Sequence, residues 1–532
     1  MGVRNPQTAS LSLRSYQGRS KSGIILPTIR NDFGIILPFV SAKPLRQFYP
    51  RPSEATMGIR HAHNTTYPGA KYECLVQAYG GSPPYLYEIV RGAPGMTIEG
   101  FLTADGSGDL WPTSSYGVLT HDSMPSGSHS IAIRCTDQAR NYVTFEWVLD
   151  SDLSLNFFTA PTASGSGLGT SEANPMAFAD VYKGATTNSP AKGRVLRLLG
   201  GSYTGMPTIE VDAGFQPTSF AAVSGHTPVF TFILNNHAND FFISGIKFLG
   251  VPVSSFGVVN FPNLNHRITA HRITFDGCTD SSTETANVAC FGANDLTSGL
   301  YARENICIVD CTFKNSIGLH GYDFYAVDSY VFERNICIID NPAITAQTHA
   351  WIFPKAGCYG GQIAYNKYDN PHIPASSDGI IQIYNGVGEN SKSRFISDIY
   401  YNKFRTGASG NTIRSNAARN LVTLLVVPSV LVTNTFYRNN ISGGTNTVGN
   451  CDFDFNVEKQ SFFDKNAIQS SNPSVIVVST QTVSRPNSAP VWWTNTGTEC
   501  QGTAGIFDAN MNLNPAYSAH VGNIGAQLRM TT

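Results

Sequence analysis

The chain has 532 residues, of which 14% are charged, and a formal net charge of −1. That length exceeds what one ordinary core needs unless the body is a repeat array, and the charge balance gives the body no electrostatic footprint for nucleic acid. No run of 18 or more apolar residues occurs, which excludes a membrane-spanning helix, while 49 glycines and 11% aromatics describe a turn-rich, all-β protein.

Residues 1–65 read as an extended basic docking arm. Through Arg51 the arm carries Arg4, Arg14, Arg19, Lys21, Arg30, Lys43, Arg46 and Arg51 against the acid Asp32, a composition that builds no core. The pentapeptide Gly-Ile-Ile-Leu-Pro occurs twice, at 23–27 and 34–38. Two identical apolar patches are a liability in water without a partner. Ile24, Ile25, Leu26, Ile35, Ile36 and Leu37 are therefore expected to dock on another protein. The prolines also interrupt the apolar run of roughly 7–15 residues that a secretory signal needs, so export by that route is not expected.

Residues 66–152 change character. Ser130 to Cys135 and Tyr142 to Val148 alternate as a half-buried strand pair does, with turn residues between them. With Ala78-Tyr-Gly-Gly-Ser-Pro-Pro-Tyr-Leu-Tyr87, Ala93-Pro-Gly-Met96 and Tyr116-Gly-Val-Leu119, the segment resembles the immunoglobulin-like modules of bacterial and phage surface proteins. The resemblance implies a small β-sandwich serving as spacer or adhesive unit. Nothing in the sequence forces Cys74 and Cys135 to pair. The ten cysteines lack zinc-like spacing, and Cys307, Cys311, Cys337 and Cys451 read as packed, reduced thiols, as in a protein that folds in a reducing cytoplasm.

Residues 153–470 are expected to form the body, and within them the stretch Phe241 to Asp454 repeats an aliphatic residue, two free positions, then Asn, Cys or Ile, one free position, then an aromatic. The copies are Ile243/Ile246/Phe248, Ala270/Ile273/Phe275, Ile308/Cys311/Phe313, Ile363/Asn366/Tyr368, Ile399/Asn402/Phe404, Leu431/Asn434/Phe436 and Val448/Cys451/Phe453, with a degenerate one at Ile336/Ile339. From Ile308 the first positions are spaced by 28, 27, 36, 32 and 17 residues, and repetition at roughly this period means stacked units that bury their apolar face against neighbours. The best solution is a coil of three short strands, each coil about 4.8 Å above the last. Asn366, Asn402 and Asn434 are then expected to stack at a bend, where Asn tolerates left-handed angles.

Gly165-Ser-Gly-Leu-Gly-Thr-Ser-Glu-Ala-Asn-Pro175, the segment 176–184 and Arg194-Val-Leu-Arg-Leu-Leu-Gly-Gly-Ser-Tyr-Thr204 resemble the opening of right-handed parallel β-helix proteins of the pectin-lyase-like class. In that class a short amphipathic helix plugs the first coil. Gly505-Ile-Phe-Asp-Ala-Asn-Met-Asn-Leu-Asn-Pro515 and Gly522-Asn-Ile-Gly-Ala526 look like its closing segment, so 471–532 is expected to cap the helix. The resemblance speaks to fold and leaves the reaction open.

Chemistry is expected on the outside of the coils. One outward row reads Asp310, Ile338, Tyr365, Tyr401, Thr433 and the next Thr312, Asp340, Lys367, Lys403, Thr435, with Asp340 beside Lys367. Aromatic faces with mixed charge suit sugars, so Tyr365, Tyr401, Lys367, Lys403, Asp340 and Trp351 are candidate glycan contacts. A loop insertion at 319–330 carries Asp323 and Asp328 among four aromatics, and these are the candidate catalytic carboxylates for glycoside hydrolysis. Turn formation is the plainer role for both. Asp276-Gly277 and Asp378-Gly379 are turn pairs, so neither a metal nor a cofactor is expected.

The order of parts resembles bacteriophage tailspikes. That resemblance implies a homotrimer, made in the host cytoplasm and carried on the virion, which docks by its arm to other tail or head proteins. Its β-helix would meet host surface polysaccharide and cleave it as a hydrolase or lyase. A non-enzymatic virion fibre or decoration protein, or a bacterial polysaccharide lyase, are the other classes.

Overall fold

The computed structural model describes residues 44–416 with interruptions, the longest at 293–302, together with strands at 28–30 and 36–38 and nine strands between Val432 and Gln501. The chain divides into two compact units. One comprises Met1–Pro52, Glu73–His121 and His129–Val148, and the other Ser53–Tyr72, Asp122–Ser128 and Leu149–Thr532.

The smaller unit is built of antiparallel strands. Arg46–Tyr49, Tyr72–Tyr79, Tyr116–His121 and Thr97–Glu99 lie side by side in one sheet, and Tyr142–Ser151, Gly127–Asp137 and Tyr85–Arg91 in another. The expected strand pair is therefore present. Alternation drives it: Tyr85 and Tyr87 are buried while Leu86 and Glu88 between them are exposed. Ala78 N donates to Tyr87 Oη at 3.0 Å, tying the two sheets together. Arg46–Tyr49 falls inside the segment read as an arm, yet it is an edge strand, because Phe48 stacks on Tyr79 at 5.2 Å and both rings are buried. Of the docking patches, Ile36 and Leu37 lie in a hairpin of Thr28–Arg30 with Ile36–Pro38. Ile24, Ile25, Leu26 and Ile35 lie outside the described residues, as does the closing segment beyond 501.

In the larger unit, parallel strands recur in fixed order through three long sheets. Val195–Leu198 lies in the first, Gly201–Tyr203 in the second and Thr208–Val211 in the third; Ser219–Ala222 then returns to the first beside Val195–Leu198. The succession repeats up to Glu499–Gln501, giving 13 strands in the first sheet and 11 in each of the others among the described residues. This topology is compatible with a parallel β-helix, and each passage through the three sheets is one coil.

The repeat read from the sequence marks the coils. Ile243, Ala270 and Ile308 are register partners in the first sheet, as are Phe248, Phe275 and Phe313 in the second. The three phenylalanine rings stack at 5.3 Å. Burying one such ring contributes about 1.5–3 kcal/mol. The short helix Phe178–Val181 closes the first coil, with Phe178 against Tyr203 and Phe230.

Corners between sheets are made by left-handed residues in columns. Leaving the first sheet, Gly245, Arg272, Asp310, Arg334 and Tyr365 have φ between 51° and 74°. At or just inside the entry to it, Asp240, Arg267, Asn305, Ser329 and Gly360 have φ between 56° and 74°. The bend was expected at the ladder asparagine; it falls one residue earlier. The asparagine instead uses its amide along the stack. Asn335 N donates to Asn366 Oδ1 and Asn366 N to Asn402 Oδ1, each at 2.9 Å. Asn366 Nδ2 donates to the Phe332 carbonyl at 2.9 Å and to Asn402 Oδ1 at 3.0 Å. All three asparagines are fully buried.

The ladder is therefore Asn335, Asn366 and Asn402. Asn434 is a correction: it lies in Val432–Arg438 as the register partner of Ile396 in the first sheet. Any strand repeats every second residue, so a chance Asn-x-aromatic inside one satisfies the pattern. Asn335 escaped it because Cys337 stands where an aromatic was required, although Cys337 is the register partner of both Phe313 and Tyr368. Cys451 likewise belongs to the third sheet, opposite Ile413.

Residues 59–67 run along the first coils. His61 stacks on Phe242 at 5.7 Å, and its Nε2 lies 2.6 Å from the Asp240 carbonyl oxygen. Arg197 is buried, donating through Nε to Asn156 Oδ1 at 2.8 Å and through Nη2 to the Thr65 carbonyl at 2.7 Å. Burial pushes its pKa down to about 10, and it stays charged at neutral pH. The eight cysteines whose side chains are described, Cys74 and Cys135 among them, are buried free thiols.

Candidate functional site

Alternation decides which side chains of a coil look outward. On the first sheet Ile308 and Phe332 face the core, so Val309 and Glu333 face out; yet Thr269, His271, Cys307, Val309, Glu333, Gln362 and Tyr400 are all buried. Gln362 Nε2 donates to Glu333 Oε1 at 2.5 Å. Glu333 is a carboxylate near Asp323 and Asp328 in sequence that was not among the candidates; alternation in 327–333 places it outward, but its burial depends on tertiary packing that a single sequence does not report.

The second sheet presents the open, charged exterior. Lys247 pairs with Asp276 at 2.7 Å, Lys314 with Asp340 at 3.0 Å and Lys367 with Asp369 at 3.6 Å. Asn315 donates Nδ2 to Asp340 Oδ1 at 2.7 Å. That hydrogen bond first, and the Lys314 ammonium second, hold the Asp340 carboxyl below its ordinary range, and Asp340 in turn raises Lys314.

The candidate glycan contacts separate. Lys367 is half-buried on the second sheet, with Lys403 as its register partner on the next strand, so the expected lysine column holds along the backbone. Asp340 is exposed but serves Lys314 of the preceding coil rather than Lys367. Tyr365 is a correction: it is fully buried, edge-on to Tyr400 at 5.8 Å. The left-handed corner that places residue 365 at the bend turns its ring under cover instead of into solvent. Tyr401 lies outside the described residues. Trp351 is also a correction, since it belongs to the core, 5.3 Å from Phe332 and 5.8 Å from Phe313 and Tyr368. Gly321 makes room for it, because a Cβ there would stand 2.4 Å from Trp351 Nε1.

The candidate catalytic carboxylates are not on a loop. Their segment forms two strands, His320–Tyr325 in the third sheet and Val327–Glu333 in the first, because Tyr322 and Tyr330 both turn into the core. Asp323 is buried on the outer side of the third sheet, in register with Gly292 and Phe353. Asp328 is half-buried on the first sheet, in register with Glu304 and Tyr359, and accepts from Ser329 Oγ at 2.9 Å. The two stand on different sheets.

Among the described residues, no three His, Cys, Asp or Glu side chains converge as metal ligands, and no helix is long and apolar enough to cross a membrane. No protein family, curated protein or solved structure matches the chain.

Proposed function

We propose that this chain is a bacteriophage tailspike. In this reading an N-terminal segment docks on the virion, an immunoglobulin-like module follows, and a right-handed parallel β-helix, trimeric in the particle, engages host surface polysaccharide. The observation that carries it is the succession of parallel strands through three sheets over a stacked aromatic and asparagine interior. A rigid rack of repeating strands offers a long polymer many equivalent contacts in a row. Fold alone assigns no function, so the surface has to narrow the ligand. Along the second sheet, Lys247, Lys314 and Lys367 are each matched by an aspartate, and this balance suits a hydroxyl-rich glycan better than a polyanion.

Binding without cleavage is the second reading. It is favoured by the burial of Asp323, 2% exposed, since a carboxyl that cleaves a glycosidic bond has to reach the sugar.

The test uses the full chain and a chain lacking residues 1–43, which spares the strand Arg46–Tyr49. Both are offered capsular and O-chain polysaccharides from a panel of bacteria and are assayed for incorporation into phage particles. Both should bind the same polysaccharide, and only the full chain should join particles. Absence of binding across the panel, together with unchanged incorporation of the shortened chain, overturns the reading. Release of reducing ends separates cleavage from adhesion.

A further inference from the structure

The three sheets of the coil stack are not equally open. On the first, the outward register partners Thr269, Cys307, Val331 and Gln362 of successive coils are all buried. On the third, Asn260, Asp323 and Phe353 are outward and buried as well. The chain's own residues cover both faces there, so neither can lie flat against a long ligand. On the second sheet every outward position of the strands from Lys247 to Asp369 keeps contact with solvent.

The middle of that open face is apolar. Ile336 and Ile338 point outward on either side of Cys337, which belongs to the core, and both are half-exposed. They form a shelf one strand wide. Their register partners are Thr312 and Lys314 on the preceding coil and Lys367 and Asp369 on the following one, about 4.8 Å away on each side. Lys314 reaches Asp340 at 3.0 Å and Lys367 reaches Asp369 at 3.6 Å, so an ion pair borders the shelf on both sides. Asp340 is also fixed before any ligand arrives. Its Oδ1 accepts from Asn315 Nδ2 at 2.7 Å, and its backbone N–H donates to Asn315 Oδ1 at 3.0 Å. With a side chain 53% exposed, it is a preorganised acceptor.

Charge and desolvation decide what fits. Each lysine already has its aspartate, so the face offers no net charge for a polyanion to match. A protein partner would have to strip water from the ion pairs, and the cores of protein interfaces are depleted of charge. A sugar hydroxyl both donates to a carboxylate and accepts from an ammonium, so it replaces that water, while the C–H face of the ring covers the isoleucines. Given the tailspike reading, on which this rests, we infer that the exterior of the second sheet is the glycan-binding face. Its central subsite is the Ile336 and Ile338 shelf with Asp340, Lys314 and Lys367 at the rim, and it takes an uncharged glycan running along the stack.

The experiment takes the full chain and a panel of purified polysaccharides, uncharged O-chains and acidic capsules, measured by biolayer interferometry. The wild-type chain should bind an uncharged member, and raising salt from about 0.05 to 0.5 M should change that affinity less than about twofold, because the glycan carries no charge to screen. Asp340→Ala should keep the unfolding midpoint and weaken binding about tenfold or more. Ile336→Glu, which sets a charge under the sugar ring, should weaken it similarly; should that variant misfold, Asp340→Ala decides alone. Glu210→Gln, exposed on the third sheet, should bind as wild type does. If the wild-type chain binds but Asp340→Ala keeps its affinity, or if binding is confined to acidic capsules, the shelf is wrong while the tailspike reading stands. If no polysaccharide binds, both fall.

Discussion

Asn366 joins three coils through a single amide, since its oxygen serves Asn335 and its nitrogen serves Phe332 and Asn402. Asn366→Ala strands the Asn335 N–H and the Phe332 carbonyl in the core, at about 1–3 kcal/mol for each group. A loss of about 3 kcal/mol is therefore expected in chemical denaturation. Asn366→Asp keeps the shape and the acceptor but points a buried carboxylate at two oxygens, which raises its folded pKa above the unfolded one. Its stability deficit relative to wild type should be full at neutral pH and shrink as pH falls toward the unfolded carboxyl pKa; a deficit independent of pH would contradict this. Arg197 is held as tightly, and Arg197→Lys, whose single ammonium cannot span Asn156 and Thr65, should lose about 1.5–3 kcal/mol. Single residues were unevenly legible in the sequence. Stacking of Asn366 on Asn402 follows from spacing alone, whereas the burial of Tyr365 and Trp351 depends on which side of a strand or corner is covered, and tertiary packing decides that.

Strands and corners set how much of the site survives in reading. Inward residues recur with the coil and are apolar, so Ile243, Ala270, Ile308 and the stacked phenylalanines announce themselves. Outward residues follow no shared rule, which is why Asp340 was matched with Lys367 when its partner is Lys314. The charged row is exposed, and such pairs contribute little. Asp340→Ala should leave the unfolding midpoint within measurement error, while Lys314 should lose its raised pKa by NMR titration. The cysteines of the strands test the core from inside. Burial pushes the Cys278 thiol up to about 11 and Cys337 up to about 12. Thiolate is the reactive form, so iodoacetamide at mildly alkaline pH should leave Cys278, Cys290, Cys311 and Cys337 unmodified in the native chain and label all of them after unfolding, read site by site by mass spectrometry. Rapid native labelling at Cys311 would mean that the coils open.

At the scale of the whole molecule, the repeat made the three-sheet body legible because each coil solves the same burial problem as its neighbour. Function was not legible in that way, since a contact surface has no period to betray it. The tailspike reading nevertheless has a quantitative consequence for the assembled particle. One coil exterior with balanced charge makes weak contacts with a single glycan repeat, and three chains held side by side turn such contacts into avidity. Light scattering coupled to gel filtration should give a mass of three times 57.5 kDa. A polysaccharide long enough to reach two or three chains should then bind about 10²–10⁴ times more tightly than a fragment of one repeat. A monomeric mass, or equal affinity for the long and short glycan, would remove multivalent attachment from the account and leave the coil stack a brace rather than a receptor-binding surface.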